Sequence, residues 1–269
     1  MMNDEAATPG VAASLHPARG FLEHPRQNGF SQHHSWFRKE LVLLDKDPTR
    51  AAFEVHGGTA QEKLEELSRQ SAGCTRCDLY RDATQTVFGE GSPDASIFFI
   101  GEQPGDKEDL AGSPFVGPAG AIFNKCLEEA GIDRTECYVT NAVKHFKFQL
   151  RGKRRIHQRP NAGEVQACRW WLEGELELVR PRLIVALGAT AANALEPRKY
   201  KIMRDRGRIM PFTRVYALLL TVHPSYLLRV RNKADMAAQR EQFVGDLRTA
   251  AEFVHETSRT PRHAIGTNR

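Results

Sequence analysis

The sequence predicts an α/β protein, a three-layer α/β/α sandwich built on a central, mostly parallel sheet of four strands. Three observations carry that expectation. Short apolar runs such as residues 95–100 and 183–187 have strand length and no polar alternation, the mark of strands covered on both faces. Segments with helical spacing lie between them, and strand then helix, repeated, gives parallel strands with helices on either side. Polar residues, glycines and prolines gather just past the strand ends, where sites form in open sheets of this kind.

Along the chain, residues 1–58 scatter Pro, Gly, His and Gln around short apolar pieces and are expected to form a mostly flexible extension with one helix at most. Thr59-Ala60-Gln61-Glu62 ahead of Leu64 and Leu67 is a capped helix start, and it opens the domain. Residues 95–100 are the first strand, ending in the turn Gly101-Glu102-Gln103-Pro104-Gly105. A helix over 118–130 puts Ile122, Cys126 and Leu127 on one face and stops at Gly131. The second strand is 138–141, followed by a helix over 162–179 carrying Trp170 and Trp171. Strands at 183–187 and 215–222 come next, and a long amphipathic helix over 233–255 closes a domain expected to span 59–256, leaving a flexible tail at 257–269. There is no internal repeat.

With 41% hydrophobic and 26% charged residues the composition is that of a globular chain, which excludes a wholly disordered or collagen-like one. No apolar run has the length to cross a bilayer and residues 1–15 lack a secretory pattern, so a soluble cytoplasmic protein is expected, with its five cysteines as thiols or metal ligands. Charge is nearly balanced at +5, yet it is uneven: residues 144–159 hold seven Lys/Arg and no acid, and residues 198–214 hold seven against one Asp. Two focused basic stretches suit a polyanionic partner, because they attract phosphates and release their counterions.

Three groups of residues carry chemistry. Cys74 and Cys77 form a Cys-x-x-Cys pair with Cys168 far downstream, and a tetrahedral ion or a cubane cluster needs a fourth donor, for which Cys137, His145 and Cys126 are the candidates. Cys126 falls on the buried face of its helix. The second group is the turn Gly101 to Gly105 with Asp106, joined to Gly112-Ser113-Pro114-Phe115-Val116-Gly117-Pro118-Ala119-Gly120; it presents Glu102, Gln103 and Asp106, and the helix opening at Gly117 offers its N-terminus to an anion. No Walker loop is present. The third is His223-Pro224-Ser225 running on to Arg229: the histidine is a fixed hydrogen-bond donor, Ser225 and Arg229 are phosphate contacts, and Leu227 or Leu228 is an apolar wedge.

In this order these segments resemble the uracil-DNA glycosylase superfamily, in its iron–sulfur, family-4-like branch, over roughly residues 74–247. The resemblance implies that Gly101 to Gly105 line a uracil pocket with Gln103 near the base or its sugar, that Phe115 stacks on the extruded base, and that Asn141 reads its Watson–Crick edge. It implies too that His223 supports the charge that develops on uracil as the glycosidic bond breaks. The family pattern has a cysteine where this chain has His145, so the implied ligands of a 4Fe-4S cluster are Cys74, Cys77, His145 and Cys168, with Cys137 the competitor of His145.

Arg151-Gly152-Lys153-Arg154-Arg155-Ile156-His157 is a longer basic insertion than the family's usual one, and it is similar to the loop of the UdgX branch, whose members become covalently attached to DNA. That similarity implies capture of the sugar C1′ by the His157 imidazole, with Arg154 and Arg155 positioning the loop or the DNA backbone and Glu102 or Asp106 orienting the histidine or a water. The implied partner is uracil-containing DNA, single- or double-stranded, bound by a monomer without a membrane. Two rivals remain open: a conventional turnover glycosylase in which His157 contacts phosphate, and a non-catalytic nucleic-acid-binding protein of the same fold.

Overall fold

Helix α1 (Ala60–Ser71) begins where the capping pattern places it: Thr59 Oγ1 accepts the Glu62 amide at 3.2 Å and Glu62 returns its carboxylate to the Thr59 amide at 2.6 Å. These residues belong to a computed structural model that describes residues 58–213 and 215–258. The expected extension at 1–58 and tail at 257–269 lie outside the described residues, apart from Gly58, Thr257 and Ser258.

The chain continues through β1 (Glu90–Gly91), β2 (Ile97–Gly101), α2 (Asp106–Ala111), α3 (Pro118–Glu129) and β3 (Tyr138–Asn141). It then forms β4 (Phe148–Arg151), β5 (Arg154–His157), α4 (Ala162–Val179), β6 (Leu183–Leu187) and α5 (Ala189–Leu195). Last come α6 (Ile202–Asp205), β7 (Ile209–Pro211), β8 (Ala217–Thr221), α7 (Pro224–Leu227) and α8 (Lys233–Ser258). The four expected strands are β2, β3, β6 and β8; they pair parallel in the order β3-β2-β6-β8.

All residues of β2, β6 and β8 are buried. Successive side chains point to opposite faces, so Phe99, Val185, Leu187 and Leu219 join one core with α3 and α8, while Phe98, Ile100, Ile184, Ala186, Leu218 and Leu220 join another with α1, α4 and α5. That gives the three layers. A smaller apolar corner collects Leu67, Leu79, Phe88, Val143 and Trp171 around Cys74 and Cys168.

The sheet is wider than expected. Two short strands, β1 against β3 and β7 against β8, extend it antiparallel at each edge to six. With two and three residues they have too few positions to show any period in the sequence. The basic insertion is also structured: β4 and β5 make a separate hairpin, with Arg151 opposite Arg154 and Gly152 at φ 61° taking the first place of the tight turn.

β2 has β3 on one side and β6 on the other, so the chain changes direction across the sheet there, and the crevice outside the carboxyl ends of these strands is the switch point. The turn after β2, the end of β3, the hairpin, Gly188 after β6 and His223 after β8 all open onto that rim.

Candidate active site

Gly101, Phe115, Asn141 and His223 come together at the rim. A Cβ on Gly101 would lie 2.2 Å from Asn141 Oδ1 and 2.8 Å from the Phe115 ring, so only glycine lets the asparagine and the phenylalanine approach the end of β2. Phe115 is held at φ 58°, unusual for a non-glycine residue, and its carbonyl lies 1.7 Å from where a Cβ on Gly120 would stand. Its ring is 5.8 Å from the His223 imidazole. Phe115 and Asn141 are buried at 6% and 3% exposure, which is the setting of a recognition pocket.

Glu108 ties this pocket together. One carboxylate oxygen accepts the Gly105 amide and the other the Gly117 amide, both at 2.9 Å, joining the turn after β2 to the start of α3. The α3 N-terminus, expected to face a bound anion, is therefore occupied by the protein's own carboxylate. Glu108 was not legible as a functional residue, although its place three residues after the Gly105 cap is a signal for it.

His223 is fixed by its neighbour. The Ser225 amide donates to His223 Nδ1 at 3.2 Å and the Ser225 hydroxyl lies 2.9 Å from the same nitrogen. A lone pair on Nδ1 leaves the proton of the neutral ring on Nε2. Burial, then the Arg229 and His157 charges, push this imidazole down to about 4, so it is a neutral N–H donor at ordinary pH. Ser225, expected at a phosphate, is thus turned onto the histidine; Arg229 is exposed.

The hairpin is clamped at both ends. Gln103 donates to the carbonyls of Lys147 at 3.1 Å and Gln158 at 3.0 Å and accepts the Lys147 amide at 3.2 Å, so its buried side chain grips the residues flanking β4 and β5. Its amide serves the hairpin, where the sequence suggested the base or sugar. Arg155 forms ion pairs with Asp106 at 2.7 Å and Asp109 at 2.5 Å and lies over the rings of Phe146 and Phe148 at 5.5 and 5.2 Å. Asp109, fully buried, also takes the Thr84 amide and hydroxyl.

This seating brings His157, the last residue of β5, to 3.5 Å from Glu102 Oε1, while the other Glu102 oxygen accepts the Thr190 hydroxyl. Burial is the main effect on His157 and lowers its pKa; Glu102 opposes that and Arg229 adds to it. About half of the side chain remains exposed, so the ring is open to the rim.

The cysteine corner follows the sequence reading in part. Cys74 and Cys168 are buried together with Cys77 packed against the same cluster, the Trp171 indole donates to Cys74 Sγ at 3.1 Å, and the Lys144 amide donates to Cys168 Sγ at 3.1 Å. The next residue, His145, is buried and its Nδ1 has no hydrogen-bond partner among the described residues. Burial pushes the Cys168 thiol up to about 12 and raises Cys77, so thiolates here call for a compensating cation. The donor set suits an iron–sulfur group. Among the described residues no three His, Cys, Asp or Glu side chains close on a single ion. Cys137 donates to the Asp133 carbonyl and packs, like Cys126, in the core of α3 and α8.

Between corner and pocket lies a buried ion pair that the charge pattern could not reveal. Lys144 Nζ meets Glu175 Oε2 and Thr140 Oγ1, each at 2.5 Å, and the Asn141 carbonyl at 2.9 Å, with both charged side chains at 0% exposure. Glu175 also accepts the Gly89 amide and the Thr140 hydroxyl.

The chain is similar to known proteins. The model of the uracil-DNA glycosylase superfamily matches residues 88–248. The chain is 36% identical over 197 residues to a type-4 uracil-DNA glycosylase of Thermotoga maritima, covering 73% of this chain and 97% of that protein. It is 34% identical over 174 residues to a type-4 uracil-DNA glycosylase of Archaeoglobus fulgidus, covering 62% and 84%. A type-5 uracil-DNA glycosylase of Pyrobaculum aerophilum is 42% identical over 65 residues, 24% of this chain and 25% of its own. The chain belongs to the uracil-DNA glycosylase superfamily and is an enzyme of the glycosylase class. No described helix is long and apolar enough to cross a membrane.

Proposed function

We propose that this chain excises uracil from DNA and then bonds to the abasic C1′ through His157. An extruded uracil would stack on Phe115 over Gly101 with its Watson–Crick edge toward Asn141, which distinguishes it from cytosine through hydrogen bonds that the wrong base leaves unmade. As the C1′–N1 bond breaks, its electron pair goes to the base, and the His223 Nε2–H stabilises that anion without surrendering a full charge to the site. A lone pair of the His157 imidazole then forms the new C1′–N bond, and the remaining ring proton departs to Glu102 or solvent. Glu102, at 3.5 Å, is better disposed to orient His157 than Asp106, which Arg155 occupies.

The observation that carries this reading is the double clamp of Gln103 and Arg155, which holds His157 beside Glu102 on the rim that His223 shares. Incubation with uracil-containing single-stranded DNA should give a protein–DNA band that survives heat and detergent; His157→Ser should lose the band and keep uracil release. A persistent band in that variant contradicts the assignment. The similarity to type-4 uracil-DNA glycosylases favours a second reading, ordinary turnover, in which free abasic product accumulates and no band forms.

We further propose that Cys74, Cys77, His145 and Cys168 hold a 4Fe-4S cluster, for which the orphaned His145 Nδ1 and the buried thiols are the support. Bound there, it supplies a structural brace between the Cys74 region, α4 and the residues after β3. Purified protein should be coloured and contain iron, and a colourless, zinc-only protein contradicts the cluster.

A further inference from the structure

We infer that residues 198–208, within the second basic stretch, are a second DNA-backbone contact that seats phosphates of the strand carrying the target nucleotide, across the crevice from the hairpin. The inference rests on the DNA-glycosylase reading above and extends its substrate footprint.

The segment is pinned to the same rim. The Gly207 amide donates to the Leu220 carbonyl at 2.9 Å, and Arg206 is a buried post, bound to Asp246 at 2.7 Å and reaching the Thr221 hydroxyl at 3.5 Å. Thr221 ends β8, two residues before His223. Gly207 adopts φ 73° and a Cβ there would come within 2.6 Å of Asp246, so the turn is held close. On either side of the post, Arg204 and Arg208 stand outward, each 64% exposed, and share the single carboxylate of Asp205. Arg198, Lys199 and Lys201 are exposed beside them. Five exposed cations against Asp205 and the Glu196 that meets Lys199 leave a net positive turn. Exposed ion pairs contribute little to folding, about 1 kcal/mol at most, so stability does not account for this accumulation.

The hairpin leaves the sheet after β3 and is clamped onto the turn that follows β2, while the basic turn lies past β8, two to three strand steps away in the order β3-β2-β6-β8. At about 4.8 Å a step that is roughly 10–14 Å, about three to four nucleotides at the ~3.4 Å spacing of a stacked strand and fewer where the strand is drawn out. A strand with its target base in the crevice reaches both basic elements only when it continues for several nucleotides. Arg229, exposed after α7, stands along the same rim.

The test compares a trinucleotide with central uracil and a single strand of about twelve nucleotides with the same core, reading the rate of uracil release at subsaturating DNA as salt is raised. Each lost phosphate contact removes about 0.7 from the log–log salt slope of a single strand, so on the longer strand the wild-type rate should fall about seven-fold more between about 50 and 200 mM salt than that of Arg204→Gln/Arg208→Gln. On the trinucleotide the two slopes should coincide. Parallel slopes on the longer strand overturn the inference. Should that variant fail to fold by circular dichroism, Lys199→Gln/Lys201→Gln, at exposed positions, carries the same expectation. A wild-type protein that releases no uracil overturns the underlying reading and this inference with it, whereas release with parallel slopes overturns this inference alone.

Discussion

Two imidazoles open onto one crevice, and their surroundings give each a different task. His223 takes the Ser225 amide on Nδ1 and is pushed down to about 4, so it enters the reaction neutral with its proton on Nε2. His157 is lowered below the usual 6.5, chiefly by burial, and so keeps a free lone pair in mildly acidic solution. Adduct formation should therefore hold level as pH falls to about 6.5 and decline only below it, since protonation removes the nucleophile. A single-turnover pH series checks this, and a midpoint above 7 contradicts it. Folding stability should respond in the same direction. Between 6.5 and about 4 the unfolded chain takes up a proton that folded His223 refuses, so stability falls on acidification by about 1.4 kcal/mol per unit of pH, readable in urea melts of wild type against His223→Gln. At Asn141, replacement by Ala should relax discrimination between uracil and cytosine more than it slows release of uracil, measured as the ratio of the two excision rates.

At the scale of elements, the hairpin is the part that carries the proposed capture of DNA. Its basic residues are visible in the sequence, and a nucleophilic role for His157 is expected there only from a resemblance and stays a proposal, while its strands are not expected. Alternation in β4 and β5 is masked by a run of charges, and the clamps are set by partners far along the chain: Gln103 lies 44 residues before Lys147, and Asp109 lies 46 before Arg155. Gln103 and Ser225 illustrate the same gap. Their types suggested substrate contact, and the structure turns both onto protein groups, because a buried amide or hydroxyl takes the nearest partner that satisfies it. The consequence is testable. Arg155→Ala leaves Asp109 buried without its guanidinium and should reduce adduct formation about a hundred-fold, well beyond its effect on uracil release, by displacing His157. Equal losses in the two assays would place Arg155 in the excision step instead.

For the whole molecule, what was legible was the part governed by local pattern. The four parallel strands, α1 with its capping box, and the helices α3, α4 and α8 follow from apolar runs and caps, and they suffice to locate the rim where Gly101, Asn141 and His223 meet. Edge strands, short helices and the Lys144–Glu175 pair follow from tertiary placement that no local pattern encodes. That pair joins α4 to the carbonyl of Asn141 and, through the Lys144 amide, to Cys168. Lys144→Met should therefore cost about 3–5 kcal/mol by stranding a buried carboxylate. Thermal melts of that variant and of Lys144→Met/Glu175→Leu, which removes both charges and should recover much of the loss, check it.

The most direct measurement is peptide mapping by mass spectrometry after reaction with a uracil-containing oligonucleotide and tryptic digestion. The account predicts a sugar-linked mass on the peptide that begins at Ile156, with fragment ions assigning the bond to the adjacent histidine. Unmodified peptide alongside quantitative uracil release, or the mass on another residue, would contradict it.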